Sequence, residues 1–273
     1  MRILVLFPHP DDAVLNAGGV LARWVAEGHD LTAICCTSGN LGTLRLDETA
    51  DQLAGKRAAE LHAANRILGI PSTEVLDFPD GGRLDFQSLR EALIAAVRRH
   101  QPDRVVTMDP WARYEVHPDH ITVGRAASEA AAFACFPLLH PEHLEAGLAP
   151  HHAAELWCMG LLGDRPNTFV SIEAHLEQKT AALLEFEASL AIIDGLFAEH
   201  RDSAEPASSE LADVKARARH WIGAFAARMG RPADLAAAEA FIVQRCAPGH
   251  LDNMDEFYAR MLDEPTRPPQ IIR

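Results

Sequence analysis

The sequence predicts an α/β protein, a three-layer sandwich around a mostly parallel sheet, and three observations carry that expectation. Short apolar runs recur along the amino-terminal half of the chain, at 2–7, 31–37, 75–76 and 104–108. Between them lie segments whose apolar residues repeat at helical spacing, and such alternation winds into a right-handed, mostly parallel sheet with helices on both faces. Two of the runs also lead into clusters of acids and histidines: Pro8-His9-Pro10-Asp11-Asp12 and His117-Pro118-Asp119-His120. In parallel sheets, binding and catalytic groups collect at the carboxyl ends of the strands, so the two clusters can meet at one edge.

The elements follow in order. Residues 2–7 form an almost continuous apolar run, as in a strand buried on both faces. Ala17, Leu21, Trp24 and Val25 then share a helical face, and Gly28 is a natural stop. Gly18-Gly19 falls inside this helix and no G-x-G-x-x-G follows the first strand, so the frame is Rossmann-like without its dinucleotide loop. The run 31–37 enters a loop, Ser38-Gly39-Asn40-Leu41-Gly42, and Ala54, Ala58, Leu61 and Leu68 mark a second helix ending near Gly69 and Pro71. Val75-Leu76 is a short strand, Leu89, Leu93, Ala96 and Val97 mark a third helix, and 104–108 is the next strand. Residues 130–172 are irregular, with strands expected at 154–160 and 168–172. From Glu173 the chain reads as mainly helical, with a polar break at 202–209 and a Pro-rich tail at 265–269. The 273 residues suit one domain, a catalytic α/β core over 1–172 with a helical carboxyl-terminal portion over 173–273.

Composition narrows the classes of function. A formal charge of -14 disfavours nonspecific contact with nucleic acid or anionic membranes. No apolar stretch reaches the length of a membrane span, and the apolar run after Arg2 is too short for a signal-peptide core. The five cysteines contain no C-x-x-C pair, which suits reduced thiols in a soluble cytoplasmic protein. Oligomeric state stays open, with the helical carboxyl-terminal third available for a homo-oligomer interface.

The clusters carry the chemistry. A catalytic zinc takes about three protein ligands and leaves a position for water. His9 and Asp12, three residues apart across a turn into a helix, can bind one ion together, with His120 as the third ligand. Water on such an ion falls from a pKa of about 15.7 towards about 7. Asp11 then suits a general base. If Pro118 begins a helix, His117 shares a face with His120 and can stabilise an oxyanion or protonate a leaving amine. Asp119 suits the role of a carboxylate that orients one of these histidines. Each cluster alone has a plainer reading, since acids in a helix's first turn are favoured by the helix dipole. Their joint placement after two strands is what points to a metal-assisted hydrolase. Iron, cobalt or nickel can occupy similar ligands.

These motifs resemble the zinc-dependent N-acetylglucosaminyl deacetylases of the PIG-L/LmbE-like superfamily. Thr37-Ser38-Gly39-Asn40-Leu41-Gly42 resembles that family's T-x-G-E-x-G loop, and Arg57-Ala58-Ala59-Glu60-Leu61 its following helix. The resemblance covers the amino-terminal half of the chain. It implies Zn2+ at His9, Asp12 and His120, Asp11 as base, His117 as acid or oxyanion partner, and Asp119 tuning His117. It also implies hydrolysis of an N-acetyl group on a small amino-sugar substrate. Polar residues near strand ends, Asn40, Arg45, Asp80 and Arg113, are then candidates for sugar hydroxyl contacts. Trp111 to Val116 and Phe136 to Glu142 resemble the diacetylchitobiose deacetylase branch.

Departures from the pattern bear on substrate. Ala13 and Asn40 stand where the family usually has Glu, and its later K-x-x-A-L…H-x-S-Q stretch survives only partly at Lys179 to Ser189, without the His. They keep open an amidase acting on a thiol conjugate or an antibiotic precursor. A noncatalytic metal- or sugar-binding module is the remaining alternative, and it has no use for Asp11 and His117 beyond the three ligands. A regulatory nucleotide site is disfavoured, because the glycine loop is wrong and the acids would repel phosphates.

Overall fold

The computed structural model describes residues 1–160, 166–196, 210–252 and 268–273. Five strands form a parallel sheet in the order β3 (Ser72–Phe78), β2 (Asp30–Thr37), β1 (Arg2–Phe7), β4 (Arg104–Met108) and β5 (Glu155–Met159). The strand order reverses between β1 and β4, the kind of switch point at whose carboxyl edge parallel sheets bind their ligands. Beyond β5 the sheet continues through antiparallel β7 (Ala238–Ala247), then β6 (Thr168–Ser171) and β9 (Gln270–Ile272), with β8 (His250–Asp252) on β7.

The alternation of β1 divides the core. Ile3, Val5 and Phe7 face α1 (Asp12–Ala26), α2 (Ala50–Leu68) and the later helices α6 (Leu176–Leu183), α7 (Glu187–Leu196) and α8 (Leu211–Gly230). Leu4 and Leu6 face α3 (Phe86–His100) and α4 (Pro118–Phe133). Both faces are therefore covered, which is why β1 reads as an unbroken apolar run. Local chemistry sets the helix ends. Thr49 and Gln52 form a reciprocal cap at the start of α2, and Gly69, at φ +78, ends it. Pro118 opens α4 as the sequence suggests, with His117 at the capping position accepting from the Asp119 N–H.

Among its described residues the carboxyl-terminal portion holds α6, α7 and α8 and also three strands that the sequence does not anticipate. β7 is the important one, because it joins the parallel half of the sheet to β6. Its apolar pattern is interrupted by Glu239, which is 4% exposed and paired with Lys179 of α6 at 2.6 Å. A buried acid whose partner is remote in the sequence disguises the strand. The same pair explains Gly18-Gly19. Glu239 accepts from the Gly19 and Val20 N–H groups inside α1, and the Lys179 ammonium donates to the Leu15 carbonyl. A Cβ on Gly19 would meet Ile172 at 2.7 Å, so α1 approaches this buttress only because glycine stands there. In the stretch expected to be irregular, α4 runs on to Phe133 and a single turn, α5 (Glu142–Glu145), intervenes before β5. The polar break expected at 202–209, and residues 265–267 of the expected Pro-rich tail, lie outside the described residues.

Candidate metal and catalytic site

The turn leaving β1 carries His9, Asp11 and Asp12 into the first turn of α1, and the loop leaving β4 carries Glu115 and His117 to α4. These neighbouring strand ends bring both clusters together. Asp12, buried, lies between two imidazoles, with Oδ2 3.1 Å from His9 Nδ1 and Oδ1 3.4 Å from His120 Nε2. The His9 N–H also donates to Asp12 Oδ2 at 2.8 Å, which locks the turn. His117 and His120 stack one helical turn apart, 4.5 Å between ring centres. Ring nitrogens of His9, His117 and His120 lie within 4.8 Å of one another.

Behind His9 sits a second acidic layer. Its Nε2 is 3.1 Å from Asp80 Oδ1 and 3.2 Å from Asp119 Oδ2. Asp119, fully buried, accepts from the Gly81 and Gly82 N–H groups, and Asp80 accepts from Gly81 and Leu41. Asp119 therefore backs His9 rather than His117, whose Nδ1 is 4.0 Å from it. Asp80, expected at the sugar hydroxyls, is buried against His9 instead.

The electrostatics follow from this crowding. Burial alone would depress the pKa of His9, but hydrogen bonds to Asp119, Asp12 and Asp80 outweigh it and hold the imidazole well above the usual range. Burial would raise Asp12, yet the charges and hydrogen bonds of His120 and His9 bring it to about 2. Asp80 is likewise lowered by His9 against the effect of burial. Three buried carboxylates around one imidazole make a pocket short of positive charge, and a divalent cation with nitrogen and oxygen ligands fits it. Asp12 with His9 and His120 is one candidate set, and His9 with His117 and His120, or with Asp80 and Asp119, are two others.

Two residues that the motifs do not single out complete the site. Arg57 of α2, 5% exposed, binds Asp11 Oδ1 and donates also to the Gly39 carbonyl and to Ser189 Oγ. Gly39, at φ +62, has no Cβ to strike Arg57, whose Nη1 would stand 2.5 Å away. Glu115 accepts from His120 Nδ1 at 2.9 Å and from the His117 N–H at 2.7 Å. A signal for Arg57 is present in the sequence: a cation spaced four residues from Leu53 and from Leu61, on the buried face of α2.

The remaining expected sugar contacts separate. Asn40 stays beside the site with its Oδ1 buried and without a hydrogen-bond partner. Arg45 points into solvent and pairs with Asp47, and Arg113 is exposed on the loop before α4. The loops bearing Asn40 and Glu115 also expose apolar side chains, Leu44 and Leu46 on one, Trp111, Tyr114 and Val116 on the other.

A doubly wound α/β sheet with a histidine–carboxylate cluster at its switch point defines the class. Comparison agrees over the amino-terminal segment: residues 4–131 match the model of the PIG-L family, GlcNAc-PI de-N-acetylase, and the resemblance seen in the motifs is borne out there. The chain is 32% identical over 136 residues to a diacetylchitobiose deacetylase of Thermococcus kodakarensis, covering 50% of this chain and 51% of that protein. It is 37% identical over 164 residues to a 1D-myo-inositol 2-acetamido-2-deoxy-alpha-D-glucopyranoside deacetylase of Rhodococcus jostii, covering 50% and 56%. These matches span about half the length of the curated relatives. The solved N,N'-diacetylchitobiose deacetylase of Pyrococcus horikoshii superposes with a TM-score of 0.76 at 26% identity, over 91% of this chain and 84% of that one. Its likeness extends through the carboxyl-terminal portion and supports the α/β fold as a whole. Among the described residues no helix is long and apolar enough to cross a membrane.

Proposed function

We propose that this protein is a zinc-dependent hydrolase that removes an N-acetyl group from a small amino-sugar compound. The observation that carries this reading is Asp12 seated between His9 and His120, with the Asp11 carboxylate held beside it by Arg57. His9, Asp12 and His120 would hold the ion. When bound, zinc supplies acidification of a water and polarisation of the acetamide carbonyl.

The chain's own groups do the rest. Asp11 takes the proton of the attacking water, and Arg57 fixes its orientation from one oxygen. Burial, then the charges of His9 and His120, lower the pKa of His117, so its ring is neutral at rest. Nδ1 of that ring accepts the Asp119 N–H at 3.3 Å, which leaves the proton on Nε2. His117 Nε2–H can therefore donate to the oxyanion that develops on the acetamide. Asp80 and Asp119 hold His9 by Nε2 and leave Nδ1 for the ion, the arrangement by which carboxylates orient metal-binding imidazoles. Asn40 Oδ1 is buried and lacks a donor, which a sugar hydroxyl would supply.

A second reading keeps the chemistry and changes the amide. The exposed Leu44, Leu46, Trp111, Tyr114 and Val116 favour a substrate with an apolar portion beyond the acetamido sugar. The five unpaired thiols support a reducing compartment such as the cytoplasm. Acetate release tests the proposal, from N-acetylglucosamine, its disaccharide, and the N-acetylglucosaminyl conjugates of inositol and malate. Release abolished by a chelator and restored by zinc is the expected result. Release that ignores the chelator would remove metal from the mechanism, and stoichiometric metal without any release would move the substrate outside these sugars.

A further inference from the structure

We propose that Glu91, His140, Glu142 and His143 form a second divalent-metal site, structural in role and suited to zinc. One ligand atom from each of the four lies within 4.8 Å of the others. His140 Nδ1 is 3.1 Å from Glu142 Oε1 and 4.0 Å from Glu91 Oε2. Ligands about 2.0–2.2 Å from a tetrahedral ion stand roughly 3.3–3.6 Å apart, so these separations bracket the required spacing. Two imidazoles and two carboxylates are also a donor set that zinc accepts.

A surface ion pair accounts for His140 with Glu142 but not for His143. His143 is only 9% exposed, its ring stacks on His140 with centres 5.1 Å apart, and its Nδ1 is buried without a hydrogen-bond partner among the described residues. A buried ring nitrogen in that condition needs a partner, and a metal in the set is one.

The scaffold is preorganised. Arg98, two turns along α3 from Glu91 and 1% exposed, donates to the carbonyls of Ala134, Phe136, Leu139 and His140. It fixes the loop that presents His140 against α3 before any ion arrives. The two glutamates outweigh its single charge and leave the site attractive to a cation. An ion there would tie α3 to α5, and none of its ligands belongs to the candidate catalytic set.

Metal content separates the two sites. The full-length protein, stripped of metal and then dialysed against zinc or cobalt, is compared with Glu91→Gln/Glu142→Gln and with His120→Ala. Both glutamates are about half exposed, at 50% and 55%, so the double variant should fold. The second site predicts that the double variant loses one equivalent relative to wild type and keeps its acetate-releasing activity. It also predicts that His120→Ala retains one equivalent, with the visible absorption of tetrahedral cobalt. Wild type holding a single equivalent that only the double variant loses would uphold this site and defeat the catalytic one. Equal metal content in wild type and the double variant, or none in His120→Ala, would overturn the proposal.

Discussion

The two halves of the sheet do different work. The parallel half, β3 to β5, and the loops at its carboxyl edge carry His9, Asp11, Asp12, Asp80, Glu115, His117, Asp119 and His120. The half built on β7, β6 and β9, with helices α6 to α8, brings none of these groups but holds two of their supports. Ser189 of α7 takes a hydrogen bond from Arg57, the cation that binds Asp11. Glu239 of β7 and Lys179 of α6 bind the backbone of α1, the helix that begins at Asp12. Chemistry and support are thus separable, and damage to each should look different.

The largest effect should come from the parallel half. Asp11→Asn is expected to lower kcat by about 10²–10⁴-fold while metal content stays unchanged, as measured by steady-state kinetics beside elemental analysis. Unchanged turnover with metal bound would exclude Asp11 as the base. Breaking the support should show in stability instead. Glu239→Gln strands a buried ammonium, and denaturant unfolding should report a loss of about 3–5 kcal/mol, with near-normal kcat in the protein that remains folded. A stability loss under about 1 kcal/mol would mean that the Lys179–Glu239 pair does not anchor α1.

A smaller change is expected at the boundary between ligand and support. Glu115→Gln weakens the acceptor for His120 Nδ1, and competition with a chelator should show metal affinity falling by about 10–100-fold. If affinity is unaltered, His120 is oriented by its helix alone. The smallest effect belongs to Arg45→Ala. Its side chain is 69% exposed and pairs with Asp47, so KM should stay within twofold, about 0.4 kcal/mol, and stability within about 0.5 kcal/mol. A large rise in KM would return Arg45 to the substrate site.

The same division explains what could be read from the sequence. The strands and helices from β1 to β4 declare themselves because each is a local pattern: an unbroken apolar run, an i, i+4 stripe or a glycine stop. Both clusters were legible for the same reason, since each is contiguous and follows a strand. Pairings over long separations were not. His9 meets Asp80 across 71 residues and Asp119 across 110, so the placement of both acids behind His9 had no local signature. β7 was hidden by Glu239, whose partner is remote, and Arg57 by its setting in an otherwise ordinary helix. Asn40 is an intermediate case, legible as a strand-end polar residue but significant only because its Oδ1 is buried and unpartnered.

His9 is shared by three candidate metal sets, with Asp12 and His120, with His117 and His120, and with Asp80 and Asp119. A crystal structure of the zinc-loaded protein, with anomalous scattering recorded at the zinc edge, decides between them most directly. The expected result is a peak bound by His9 Nδ1, Asp12 and His120 Nε2 at about 2.0–2.2 Å, with Asp11 left free of the ion. A peak held by His9, Asp80 and Asp119, or no ion at His9 at all, would contradict it.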